Sequence, residues 1–172
     1  MGLDVIRLSR LHLFPYFHSS VLKAIFCIFC SVFLNPALAE DSLRTQAIAA
    51  HKNSDFSESA HLFERLIAIY ERDLGAENPK TVEAMEDLAR VYRDMGRRQE
   101  ALKLIKSVVD IRTRVLGPED LLTLSAMQEL GTTLTKLGRF SEAFQIVEQV
   151  FQARGRILGE KHKQTLISCL LY

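Results

Sequence analysis

Three stretches of this chain carry the same short pattern at one constant spacing: Leu74-Gly75 with Thr81, Leu116-Gly117 with Thr123, and Leu158-Gly159 with Thr165. A second marker keeps the same interval, because Gly96-Arg97-Arg98-Gln99-Glu100-Ala101 is echoed by Gly138-Arg139-Phe140-Ser141-Glu142-Ala143. Two markers locked to one period of this size describe a stack of identical supersecondary units. Each unit buries its apolar face only against a neighbour.

Inside the period, apolar residues keep helical spacing. Val82, Met85, Leu88, Ala89 and Tyr92 share one stripe, and Ala101, Leu102, Ile105, Val108, Val109 and Leu116 share another. Each unit is therefore expected to be two amphipathic helices joined by a tight turn at Gly96 or Gly138, where glycine permits the left-handed conformation that ends a helix. Asn78 before Pro79, and Asp120 before Leu121, supply side-chain acceptors for the first orphan amides of a helix. These signals predict helices over about 42–52, 56–73, 80–95, 98–115, 121–137, 140–157 and 163–172, and no strand. A single long coiled coil is excluded by the recurring glycines, each of which costs about 1 kcal/mol inside a helix.

Residues 1–39 stand outside the period. Arg7, Arg10 and Lys23 are basic, Ala24 to Leu34 is an uncharged apolar run, Pro36 breaks it, and Ala37-Leu38-Ala39 offers small residues at a peptidase site. This is the layout of a Sec-type leader cleaved after Ala39. The rival, a retained membrane anchor, needs about 20 apolar residues and has fewer. Bulky residues before Cys27 and Cys30 do not fit lipid attachment. Cleavage leaves Cys169 as the remaining cysteine, so no internal disulfide is expected, and its apolar surroundings describe a small buried hydrophobe. The region from Glu40 onward has 19 basic and 20 acidic residues. Near-neutrality argues against nucleic acid and anionic membrane as partners.

Leu-Gly, then Asn78-Pro79 or His162, then Thr, then Met85, Leu88, Ala89 and Tyr92, then Gly96 and Glu100-Ala101, is a pattern that resembles a tetratricopeptide repeat of the 42-residue kinesin-light-chain type. Met127, Leu130, Gly131, Leu134, Gly138, Phe140 and Ala143 repeat it. The resemblance covers about Asp41 to Tyr172, in units of about 40–75, 76–117, 118–159 and a truncated 160–172. It implies an all-α, right-handed superhelical solenoid of stacked antiparallel helix pairs. The first unit departs most, with Ser54 at the turn glycine, Ser59 at the packing alanine and Gln46 at a leucine, and is expected to cap the array.

The resemblance further implies that first helices line a concave groove for a peptide or protein partner. By position the groove residues are Glu83, Glu86, Asp87, Arg90, Arg93 and Asp94 in one unit, and Ser125, Gln128, Glu129, Thr132, Thr135 and Lys136 in the next. Asp87 and Glu129 stand where peptide-clamping relatives often carry asparagine, which points to basic or amide-rich ligands. The competing account of all these charges is an ordinary solvated helix face.

Residues for chemistry are sparse. His51, His61 and His162 have no partner at metal-ligand spacing, no glycine-rich phosphate loop is present, and acid pairs such as Glu83 with Glu86 lie beside arginines. The expectation is an exported interaction module without catalytic residues, cofactor or metal. Two alternatives remain: the chain is the N-terminal piece of a larger enzyme such as a caspase-like CHAT peptidase, or an incomplete last hairpin drives self-association into a homodimer.

Overall fold

The computed structural model describes residues 36–159 and 162–163, in which six helices and no strand are found. They are α1 (Pro36–Lys52), α2 (Phe56–Asp73), α3 (Pro79–Asp94), α4 (Arg98–Leu116), α5 (Leu121–Lys136) and α6 (Phe140–Leu158). Five of these match the sequence expectation to within one residue at each end. The exception is α1, which begins at Pro36 instead of Ser42; the fixed φ of proline suits a first helical turn as well as it breaks an apolar run. The leader up to residue 35, the body of the expected helix over 163–172, and Cys169 lie outside the described residues.

Residues 1–40 and 41–172 are two compact units, and the second holds the repeats. Packing there is sequential, α2 on α3, α3 on α4, α4 on α5 and α5 on α6. Such nearest-neighbour packing is what a stacked array requires.

The middle helices bury two stripes, where the sequence showed one. Along α3, Val82, Met85 and Ala89 face the cluster that contains Leu102, Ile105 and Val108 of α4. Ala84, Leu88 and Val91 face the cluster of Ala60, Phe63, Leu66 and Tyr70 from α2. A helix between two neighbours gains burial on both sides, at roughly 1.5–3 kcal/mol for each large apolar side chain. Leu116, expected on the α4 stripe, is instead 43% exposed.

The turns inside the hairpins share one hydrogen-bond plan. The amides of Asp55, Arg97 and Arg139 donate to the carbonyls of Ala50, Tyr92 and Leu134 at 2.9, 2.8 and 2.9 Å. Each bond closes around a residue of positive φ: Ser54 at 64°, Gly96 at 81° and Gly138 at 77°. This is the helix-ending arrangement glycine favours, and Ser54 adopts it too.

Close approach explains the other departures of the first unit. Buried Ser59 donates from its hydroxyl to the Ala47 carbonyl at 2.8 Å, which satisfies the group that replaces alanine. Gln46 is exposed and donates to the Ser42 hydroxyl at 3.0 Å. On the opposing helix, Gly131 holds in the third unit the place of Ala47 in the first, and a β-carbon there would stand 2.7 Å from Val147 Cγ2.

Candidate functional site

The expected groove residues lie on α3 and α5, and ion pairs tie these first helices to each other and to α1. Arg44 of α1 reaches Glu83 at 2.6 Å and Asp87 at 3.5 Å, and His51 meets Asp94 at 3.0 Å. Arg93 of α3 binds Glu129 of α5. Arg90 pairs with Asp87 on its own helix at 2.8 Å. The hydrogen bond that Arg44 donates to Glu83 holds its guanidinium above the ordinary arginine pKa. Asp87 and Glu129, at the clamp position, are thus engaged by arginines of the chain itself. Arg44 and His51 were not among the expected residues; their partners lie 39 to 43 residues away, across units, where the repeat pattern gives no signal.

The remaining groove residues of α5 are less charged. Thr132 and Thr135 donate back to the Gln128 and Gly131 carbonyls of their own helix at 3.1 and 3.0 Å. Their donors are spent locally, leaving methyl groups and acceptor lone pairs. Lys136 is exposed in the last turn.

Glu86 and Gln128 point instead toward the second helices. Arg112 of α4 pairs with Glu86 at 2.6 Å and donates to the Leu122 carbonyl of α5 at 2.9 Å, joining three helices. Burial holds the Glu86 carboxyl above the usual Glu value of 4.5, against the pull of Arg112. One period later Arg154 donates to the Gln128 side chain, and burial lowers the Arg154 pKa.

Between α3, α5 and the last turns of α4 opens a cavity of about 380 Å³. Glu83, Glu86 and Ser125, all expected groove residues, line it together with Val82, Ile111, Val115, Leu116 and Leu122. Val115 and Leu122 are 50% and 56% exposed. The sequence carried a trace of them: one period earlier the same positions hold Asp73 and Lys80. A smaller cavity of about 70 Å³, between α1 and α3, is lined in part by Asp87 and Arg90.

Among the described residues there is no group of three or more His, Cys, Asp or Glu placed to hold a metal ion. No helix among them is long and apolar enough to cross a membrane.

Comparison with known proteins follows the same lines. The profile of the tetratricopeptide repeat matches residues 38–114 and 91–156. A Podosopora anserina protein with nearly identical, kinesin-light-chain, TPR-like repeats superposes with a TM-score of 0.68 at 30% identity, over 74% of this chain and 61% of that one. BtubC (BKLC) from P. vanneervenii gives 0.66 at 18% identity, over 89% and 61%, and the N-terminal domain of stress-induced protein-1 from C. elegans gives 0.54 at 17%, over 77% and 94%. The present chain therefore spans about three fifths of the length of the first two. No curated protein matches it. A fixed repeat period, paired helices whose main packing is sequential, and a profile match along most of the chain have one common meaning: this protein belongs to the tetratricopeptide repeat family.

Proposed function

We propose that this chain is an exported interaction module that binds a peptide or protein partner on the concave face made by α1, α3 and α5, without catalysis. The observation that carries the reading is the row of ion pairs, Arg44 with Glu83 and Arg93 with Glu129, that runs across three first helices in the free protein. A surface already ordered in the free protein avoids the ordering cost that weakens flexible binders. Arg90, paired with Asp87 of its own helix, and Thr132, Thr135 and Lys136 are groove residues that no tie between helices engages. Nucleic acid and membrane are poor partners for a face on which both charge signs alternate.

Selection from a displayed peptide library with the full chain tests this. Selected peptides lose at least tenfold in affinity for the variants Arg90→Glu and Thr132→Arg. An unbiased library that yields no binder, or binders indifferent to both substitutions, overturns the reading. Export rests on the leader pattern before Glu40, and the intact mass of the protein from its native host tests it: loss of residues 1–39 supports cleavage, and retention of Met1 refutes it.

A further inference from the structure

Resting on the peptide-binding reading, we infer that the cavity between α3, α5 and the end of α4 is an anchor pocket for a peptide that carries one large apolar side chain next to a lysine or arginine. Three observations carry this. The first is that its apolar walls are not demanded by the repeat. At the preceding junction Asp73 pairs with Arg72 at 2.7 Å, and Lys80 lies 5.9 Å from the centre of the Tyr70 ring. One period later Val115 and Leu122 stand in the places of Asp73 and Lys80, and the cavity opens beside them, while Arg112 takes the place of Tyr70. Half-exposed apolar side chains around a concavity are the usual form of a protein-binding anchor site.

Size is the second. A volume of about 380 Å³ lies near the lower end of the roughly 300–1,000 Å³ range of small-ligand pockets. That suits a single aromatic or long aliphatic side chain, which carries most of the affinity in such contacts.

Charge is the third. Glu77, Glu83 and Glu86 line the cavity against one guanidinium, Arg112, whose η nitrogens are engaged by Glu86 and the Leu122 carbonyl. Glu77 and Glu83 are more than half exposed, and their partners Arg114 and Arg44 hold them in pairs at the surface. Surface pairs of this kind are worth about 0–1 kcal/mol, so an incoming ammonium or guanidinium can take either carboxylate at small cost. An acidic flank meets no available cation within the lining.

The test uses the full chain and two fluorescein-labelled octapeptides, one with Lys-Phe-Lys at its centre and one with Glu-Phe-Glu, followed by anisotropy. The expected result is that the lysine peptide binds at least tenfold more tightly, and that the double variant Val115→Asp with Leu122→Lys weakens it at least tenfold. Both replacements reproduce residues the array already uses at the equivalent junction, and both sites are exposed, so the fold is retained; circular dichroism checks this. Equal binding of the two peptides, no binding of the lysine peptide, or binding unaffected by the double variant overturns the inference. If library peptides still respond to Arg90→Glu and Thr132→Arg in that case, the concave-face reading stands and the pocket alone falls.

Discussion

The hairpins α3–α4 and α5–α6 share one plan for their backbone and joints and diverge in their polar faces. Asn78 and Asp120 cap their first helices, accepting from the Lys80 and Leu122 amides at 3.0 and 2.8 Å. Glu77 with Arg114 and Glu119 with Arg156 form the same ion pair one period apart, as do Arg97 with Glu100 and Arg139 with Glu142. The groove side of α3, by contrast, carries Asp87, Arg90, Arg93 and Asp94, where α5 carries Glu129, Thr132, Thr135 and Lys136. Within the hairpins a carboxylate faces Arg112 and an amide faces Arg154. Caps and exposed ion pairs at the joints are copied, whereas the polar faces of the first helices and the partner of the buried arginine vary.

The sharpest way to break this comparison is to remove Arg112. Arg112→Met leaves the buried Glu86 carboxylate without its guanidinium, and about 3–5 kcal/mol of stability should be lost in urea denaturation. A loss below about 1 kcal/mol would mean that the tie between α3, α4 and α5 is decorative.

The turns offer a smaller effect with opposite signs in two units. Gly96→Ala places a β-carbon on a residue of φ 81° and should cost about 1 kcal/mol or more, whereas Ser54→Gly relieves the same conformation and should stabilise by about 0.5–1 kcal/mol. Thermal melts of the two variants moving in the same direction would contradict the shared turn plan.

The smallest change is expected from Glu86→Gln, which gives the second unit the amide of the third and should alter stability at neutral pH by about 1 kcal/mol or less. Its pH dependence is more informative. The folded Glu86 pKa lies above its ordinary 4.5, so the folded state binds that proton more tightly than the unfolded chain. The contribution of Glu86 to stability is thus largest below pH 4.5 and declines as pH rises through the raised value. Arg112 and Arg90 oppose this shift, and Glu129 adds to it. Unfolding free energies of wild type and Glu86→Gln, measured from pH 4 to 8, should diverge in favour of the variant as pH rises; parallel curves would refute the shift.

Much of the fold was legible because period, caps and turn residues are local signals. Asn78, Asp120, Gly96 and Gly138 each set a boundary through a backbone preference of their own. The second buried stripe of α3, through Ala84 and Val91, was not legible, since it depends on which neighbour lies behind the helix. The candidate face was legible in its positions and illegible in its state. Nothing near Asp87 or Glu129 in sequence announces Arg44 or Arg93, and these contacts turn expected ligand groups into ties between helices. The cavity was missed because Val115 and Leu122 lie at the junction of units, away from the face that family resemblance singles out.

Gly75 and Gly117 have the same φ of 95°, and Thr81 fastens its junction by donating to the Gly75 carbonyl at 2.8 Å. Thr123, at the equivalent place, makes no such bond, so the joints share their backbone conformation alone, and that is enough to make the chain divisible. Excising one whole period, 76–117, splices Gly75 onto Pro118, a connection the protein already makes at Gly117, and the helices on either side meet surfaces of the kind they met before. Gene duplication or deletion in whole periods therefore changes the length of such an array without redesigning it. A deletion one residue short of a period whose join falls within a helix turns the part of that helix beyond the join by about 100° and sets its apolar stripe against water.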